Sequence, residues 1–253
     1  MNRIIVSASA LVISMSIASA SRAVDANGNI IVNNSGGMTI AADSKVNTGI
    51  DLGEGGDKNV IKGNGDIKTE TRNLEKFKAI KISGAFDVVS QKAERANIKI
   101  TCDRNILPHI QSKISNEELS IMPDSPVSCK NRIRIELCTA GDVNKIELSG
   151  ACTLVHKEIA ASKFSLDING TSTATISGKA DVFEADISGI SSLKAVELKT
   201  KVTSVSVAGT GKAEVFASDK LTAKISGIGN VDYYGNPKEV IKDISGLSQL
   251  NKK

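Results

Sequence analysis

Three carboxylates stand at matched places in this sequence. Glu147, Asp167 and Asp186 each lie three residues before a glycine, and they follow one another at intervals of 20 and 19 residues. If the chain stacks these positions in register, three carboxyls share one outer face at the roughly 4.8 Å spacing of paired strands. Like charges so close disfavour full ionisation and attract a cation. Two of them beside a sugar-binding groove would also meet the acid–base requirement of a glycosidase or lyase. The plainer alternative is a solvated face, its charge relieved by Lys145 and by splayed side chains. A calcium site requires more converging oxygens than this column supplies. No metal and no cofactor is therefore expected, and Glu147, Asp167 and Asp186 stand as candidates for ligand contact.

The other reactive side chains are few. There are two histidines, His109 and His156, and neither has the cysteine or carboxylate spacing of a zinc site. His109 follows Pro108 in a polar stretch and is expected to be exposed. His156 falls six residues after Gly150, a place taken by Ile176, Val215 and Tyr233 after later glycines. It is expected to pack in a strand and not to act as the base of a Ser-His-Asp set. Four cysteines, Cys102, Cys129, Cys138 and Cys152, make an even number, which in an oxidising compartment favours disulfides. Order along the chain suggests Cys102–Cys129 and Cys138–Cys152 among the possible pairings. Four reduced thiols packed as small hydrophobes are the alternative.

The start of the chain bears on the compartment. Asn2-Arg3 brings a positive charge, Ile4 to Ala18 is apolar or small and uncharged, and Ala18-Ser19-Ala20 has the A-x-A form of a cleavage site. This predicts a signal peptide over 1–20. The run is shorter than the ~20 residues a span requires, so no transmembrane anchor is expected in the mature chain, and no cysteine follows the cleavage site to carry a lipid. The expected location is exported, either periplasmic or secreted to the cell surface. Residues 21–62, rich in Gly, Asn, Asp and Ser, read as a flexible tail.

Composition narrows the classes further. With 40% hydrophobic and 24% charged residues, the 253-residue chain has the makeup of a folded protein. Aromatics are only 3%, without Trp, which argues against an aromatic-lined sugar cleft and against base stacking. A net charge of +4 with interspersed signs leaves no nucleic-acid footprint.

The elements that must position these residues come from a repeat. A motif apolar-x-apolar-Ser-Gly, with Asn or Ala sometimes replacing the Ser, recurs with its glycines at 150, 170, 189, 209, 227 and 246, and an earlier copy ends at Gly84. Two residues before each glycine stand Ile82, Leu148, Ile168, Ile187, Val207, Ile225 and Ile244. Four residues after it stand Val88, Leu154, Ala174, Leu193, Ala213, Val231 and Leu250. Both columns are apolar in every copy, and the alternation around them has the period of a half-buried strand. A repeat of ~20 residues made of short strands cannot bury its own stripe and must stack on its neighbours. The prediction is an all-β fold, a single-stranded parallel β-helix, right-handed by the crossover rule. Glycine marks the corners because it accepts positive φ, and the Ser or Asn before it can bond backbone there. The dense Leu pattern and Asn ladder of a leucine-rich repeat are absent. The regular array covers 143–250. Upstream, Phe77 to Val89, Asn97 to Thr101, Glu118 to Met122 and Arg132 to Leu137 read as strands, and Arg104 to Ser115 as a short helix. Tyr233, Tyr234 and Phe216 are expected to form a hydrophobic lid near the last coil.

The stretch Gly63-Asn64-Gly65-Asp66-Ile67, then Phe77-Lys78-Ala79-Ile80 and Ser83-Gly84-Ala85-Phe86-Asp87-Val88, opens a recognisable pattern. With the repeated Ser-Gly copies and the ending Val231-Asp232-Tyr233-Tyr234-Gly235-Asn236-Pro237, it resembles the head GIN domain family (DUF2807), the putative auto-transporter adhesins. The resemblance covers a domain of residues 63–250. It implies a β-helical, exported bacterial protein proposed as an adhesin, with no catalytic motif to carry over. No translocator barrel follows the repeats before Lys253, so self-transport to the surface is not expected.

Together these readings predict a non-catalytic binding or structural protein of the cell envelope. Its partner is expected to be a cell-surface polysaccharide or an envelope protein, not nucleic acid. A carbohydrate-active enzyme using Glu147, Asp167 and Asp186 is the alternative. Self-association is a third prospect, because the unpaired edge of a last coil templates strand pairing.

Overall fold

The computed structural model describes residues 60–253 and, upstream, three short strands. These are β1 (Ile4–Val6), β2 (Arg22–Val24) and β3 (Ile30–Val32), joined antiparallel with β3 in the middle, in a unit of their own spanning Met1–Gly56. The expected signal peptide and most of the expected tail otherwise lie outside the described residues.

The larger unit opens with β4 (Ile61–Lys62), β5 (Ile67–Asn73), β6 (Ala79–Gly84), β7 (Phe86–Lys92) and β8 (Asn97–Asp103). It continues through β9 (Ile110–Ser115), β10 (Glu118–Pro123), β11 (Val127–Ser128), β12 (Ile133–Thr139) and β13 (Lys145–Gly150). Four long strands follow, β14 (Thr153–Gly170), β15 (Thr173–Ala195), β16 (Leu198–Phe216) and β17 (Lys220–Tyr234), and then β18 (Glu239–Gly246) and β19 (Gln249–Lys252). The chain winds into a β-solenoid of about five turns. No helix among the described residues is long and apolar enough to cross a membrane. In place of the helix expected between Arg104 and Ser115 there is one 3-10 turn, Leu107–His109, followed directly by β9. Pro108 suits the first turn of such a segment, but alternating inward residues then draw the chain into a sheet.

The stack is parallel and in glycine register. Ile82 pairs with Leu148, Leu148 with Ile168, Ile168 with Ile187, Ile187 with Val207, Val207 with Ile225 and Ile225 with Ile244. Every member of this column is buried except Ile244, which is 37% exposed because no further coil among the described residues covers it. The copy ending at Gly84 belongs to the same ladder, since β6 and β7 lie directly under β13 and β14, and Ile121 of β10 extends the column below Ile82. Residues between β7 and β13 are an insertion whose β10 and β12 add parallel strands under β6 and β7; the antiparallel pairs β9–β10 and β8–β12, with β5 on β8, then cap this end.

The coils depart from a chain of short strands. Residues 153–234 run as four strands of 15 to 23 residues that bend without breaking their ladders. The bends fall at glycines with positive φ, such as Gly189 at 86° and Gly209 at 113°, and Gly170 at 113° closes β14 at the matching corner. A Cβ on Gly170 would sit 2.5 Å from the carbonyl oxygen of Gly150. Close stacking and left-handed backbone therefore both require glycine there. The corner is held from inside by a hydroxyl two residues after the glycine, a feature the repeat alone did not suggest. Ser172 Oγ donates to Gly150 O at 3.2 Å, Ser191 Oγ to Gly170 O at 3.1 Å and Ser248 Oγ to Gly227 O at 3.0 Å.

The last coil changes chemistry. The column four residues before the glycine reads Ile80, Ile146, Leu166, Ala185, Val205 and Ala223, and then Lys242. In the column six residues after it, Val215 and Tyr233 are followed by Lys252. The Tyr233-Tyr234 pair therefore forms no terminal lid: β19 covers Tyr233, which packs half-buried against the core.

Candidate functional site

The outward column three residues before each glycine is a polar stripe. Pairing places Lys81, Glu147, Asp167, Asp186, Ser206, Lys224 and Asp243 on successive coils. They face outward because their strand neighbours Ile168 and Ile187 face in, and alternation leaves no choice. Asp167, Asn169, Asp186, Ser188 and Ser206 line a shallow groove of about 400 Å³ together with Glu147.

The three carboxylates sit in different fields. Lys145 Nζ lies 2.5 Å from Glu147 Oε1 and Lys81 Nζ lies 3.1 Å from Glu147 Oε2. These hydrogen bonds and charges hold the Glu147 carboxyl below its ordinary range. Asp167 is half-buried, and its nearest cation is Lys145 at 3.8 Å. Burial, followed by the charges of Asp186 and Glu147, outweighs that lysine and pushes Asp167 upward. Asp186 is exposed, and no basic group among the described residues lies within ion-pair distance of it. The column is thus one neutralised glutamate beside an adjacent pair of aspartates. Among the described residues, no three His, Cys, Asp or Glu side chains gather as a metal site.

The histidines are not part of this face. His156 is buried and stacks on Phe164 at 6.5 Å between ring centroids, and Phe164 stacks on Phe183 at 5.8 Å. Burial lowers its pKa from 6.5 to about 4. Its Nδ1 and the Oγ of Ser90, the residue paired with it on β7, are both buried without a hydrogen-bond partner. His109 differs from expectation. It is half-buried, and its Nδ1 lies 3.0 Å from Asp124 Oδ1, a contact that lowers the Asp124 carboxyl.

All four cysteines are free thiols. The expected Cys138–Cys152 bridge is excluded by register. Cys138 pairs with Gln91 of β7, whereas Cys152 lies level with Phe86, five residues along that strand and on its other flank. At ~3.3 Å per residue the offset is roughly 16 Å, beyond the ~7 Å Cα limit of a disulfide. Cys152 instead fills the corner seat that Ser172 and Ser191 fill above it, its thiol donating to Gly84 O at 3.4 Å. Cys102 and Cys129 both border Asp103, at the capped end of the stack.

A second groove escaped the sequence reading. It has a volume of about 540 Å³ and is lined by Lys179, Lys199, Lys201, Asp181 and Phe216, among others. Lys199 Nζ lies 4.5 Å over the Phe216 ring, and Lys201 pairs with Asp181 at 2.8 Å. Lys179 and Lys199 stand ten residues before Gly189 and Gly209, so the repeat offset carried the signal.

The sequence model described as "Putative auto-transporter adhesin, head GIN domain" (DUF2807) matches residues 76–237. No curated protein matches the chain. Among solved structures, a putative adhesin from Bacteroides fragilis is similar, with a TM-score of 0.61 at 15% identity over 76% of this chain and 100% of that one. Another, from Parabacteroides merdae, gives 0.52 at 17% identity over 77% of this chain and 99% of that one. A third, from Parabacteroides distasonis, gives 0.50 at 18% identity over 77% and 100%. At these identities the likeness concerns the fold.

Proposed function

The chain belongs to the head GIN domain family of putative auto-transporter adhesins, and from that premise we propose that it is an exported, non-catalytic binding protein of the bacterial envelope, located in the periplasm or on the cell surface, whose solenoid face holds an extended polysaccharide. The observation that carries this reading is the in-register groove in which Asp167, Asp186, Asn169, Ser188 and Ser206 repeat from coil to coil. Carboxylates accept hydrogen bonds from sugar hydroxyls, and the amide and hydroxyls both donate and accept. A row of such groups at the ~4.8 Å strand spacing suits a polymer lying across the coils better than a single small molecule. The family name is a reading by association, and the face supplies the chemistry.

The rival reading, a glycosidase or lyase, draws on one observation: Asp167, raised by burial, lies beside Asp186 in the order of an acid and a carboxylate. A glycan array, followed by analysis of released products, separates the two. Binding without turnover, weakened about tenfold or more by Asp167→Ala combined with Asp186→Ala, is the expected result. Product release abolished by either substitution would establish the enzyme instead. A protein captured through the same residues, with no glycan bound, would overturn the polysaccharide assignment.

A further inference from the structure

We infer that Cys102 and Cys129 form a reversible disulfide that fastens the capping segment of residues 61–66 and 126–129 to the end of the solenoid. Cys102 points inward from β8 and is buried, and Cys129 packs half-buried against the same core. The backbone between them is closely tied. β11 pairs with β4, and Gly63 N–H donates to Ser128 O at 2.8 Å, fixing the residue just before Cys129. A side chain on Gly63 would collide with the carboxylate of Asp103, the residue just after Cys102. Asp103 Oδ1 also accepts the Gly65 N–H at 2.5 Å, and Arg104 N–H donates to Asp66 O at 2.7 Å. Segment 61–66 therefore ties the residue before Cys129 to the residue after Cys102, and the two thiols share Asp103 as a neighbour.

The electrostatics agree with this proximity. Cys102 is pushed up to about 11, first by burial and then by the charge of Cys129 and of Asp103. Cys129 is raised by burial and by Asp103, whose carboxylate holds its thiol proton. Cys102 is the deeper of the two and the less able to react first. Oxidation by a small-molecule or protein disulfide would then proceed by exchange. Cys129, as thiolate, attacks the donor and releases one donor thiol. Cys102 then displaces the second donor thiol and closes the Cys102–Cys129 bond. The protein loses two protons and two electrons, and the donor disulfide becomes two thiols. This pairing is independent of what the outer grooves bind.

The test uses the purified chain in oxidised glutathione, followed by alkylation and non-reducing peptide mapping. We expect the intact protein to lose the mass of two hydrogens, the Cys102 and Cys129 peptides to be joined, and Cys138 and Cys152 to remain alkylated. The oxidised protein should melt roughly 6–12 °C above its reduced form. Cys129→Ser, at the less buried position, keeps the fold measurable and should abolish both the link and the shift. Glutathione trapped on Cys129 with Cys102 still free, or four alkylated thiols, would overturn the inference.

Discussion

His156 shows what one side chain can impose on a stack of otherwise interchangeable rungs. The next coil places Ile176 at the same seat, and an imidazole there brings a titratable group into a shell of apolar and aromatic neighbours. Its folded pKa of about 4 lies below the ordinary 6.5, so as pH falls the unfolded chain takes up the proton first. Stability from this group is intact above pH 6.5 and declines as pH falls from 6.5 toward 4. The full loss is about 3 kcal/mol. Urea unfolding of the parent should show this fall, and His156→Ile should flatten it across that window while leaving stability at pH 7.5 equal or higher. An unchanged pH slope in the variant would mean that the imidazole is hydrated and not sealed in the core. Residue identity alone gave the inward direction of His156 through its offset from Gly150. It did not give the pairing of half-buried His109 with exposed Asp124, which depends on the fold of the insertion.

At the scale of elements, the ladders were legible because each coil repeats its offsets from the glycine, and a stack has only one register that keeps every apolar column continuous. Ile187 stands in the middle of such a column, 2% exposed between Ile168 and Val207. Ile187→Asp forfeits about 2–5 kcal/mol of packing and adds the cost of a buried carboxyl. The variant should fail to fold, or melt far below the parent in a thermal scan followed by circular dichroism. Parent-like melting would refute the inward assignment. What repetition could not convey was where strands end. Positive φ at Gly189 and Gly209 bends the chain while its neighbours above and below keep bonding, so one long strand replaces several short ones. The insertion after β7 has no repeat, and its Pro108 segment closes as a 3-10 turn where composition alone predicts a short helix. The lysine groove is present in the repeat offsets but lies outside the motif around the glycine.

The larger unit has one capped end and, among the described residues, one uncovered end. At the bare end, Val240 and Ile244 are uncovered, and Leu247 is 82% exposed. An apolar rung with a free strand edge invites another chain to continue the ladder. Lys242 and Lys252 occupy columns that are apolar in most earlier coils, and burying either ammonium under a further coil would be costly. Lys242→Ile combined with Lys252→Val should therefore convert the protein to concentration-dependent oligomers in sedimentation velocity, whereas the parent should sediment as a monomer. Parent oligomers at the same concentration would show that the lysines do not guard this end.

The corner glycines have a consequence for how such a molecule can vary in size. The interval from Gly189 to Gly209 carries an inward hydrophobe, an outward polar residue and a bend, and each meets its own kind above and below. Because this set of partners recurs in each interval, the interval is a unit of length as well as of packing. Gain or loss of one interval changes reach by about 4.8 Å and leaves the kinds of contact between neighbouring rungs as they were. The ends do not share this freedom. The capped end is built by an insertion and the last described coil carries Lys242 and Lys252, so the extent of the outer face can drift while these two rungs keep their own chemistry.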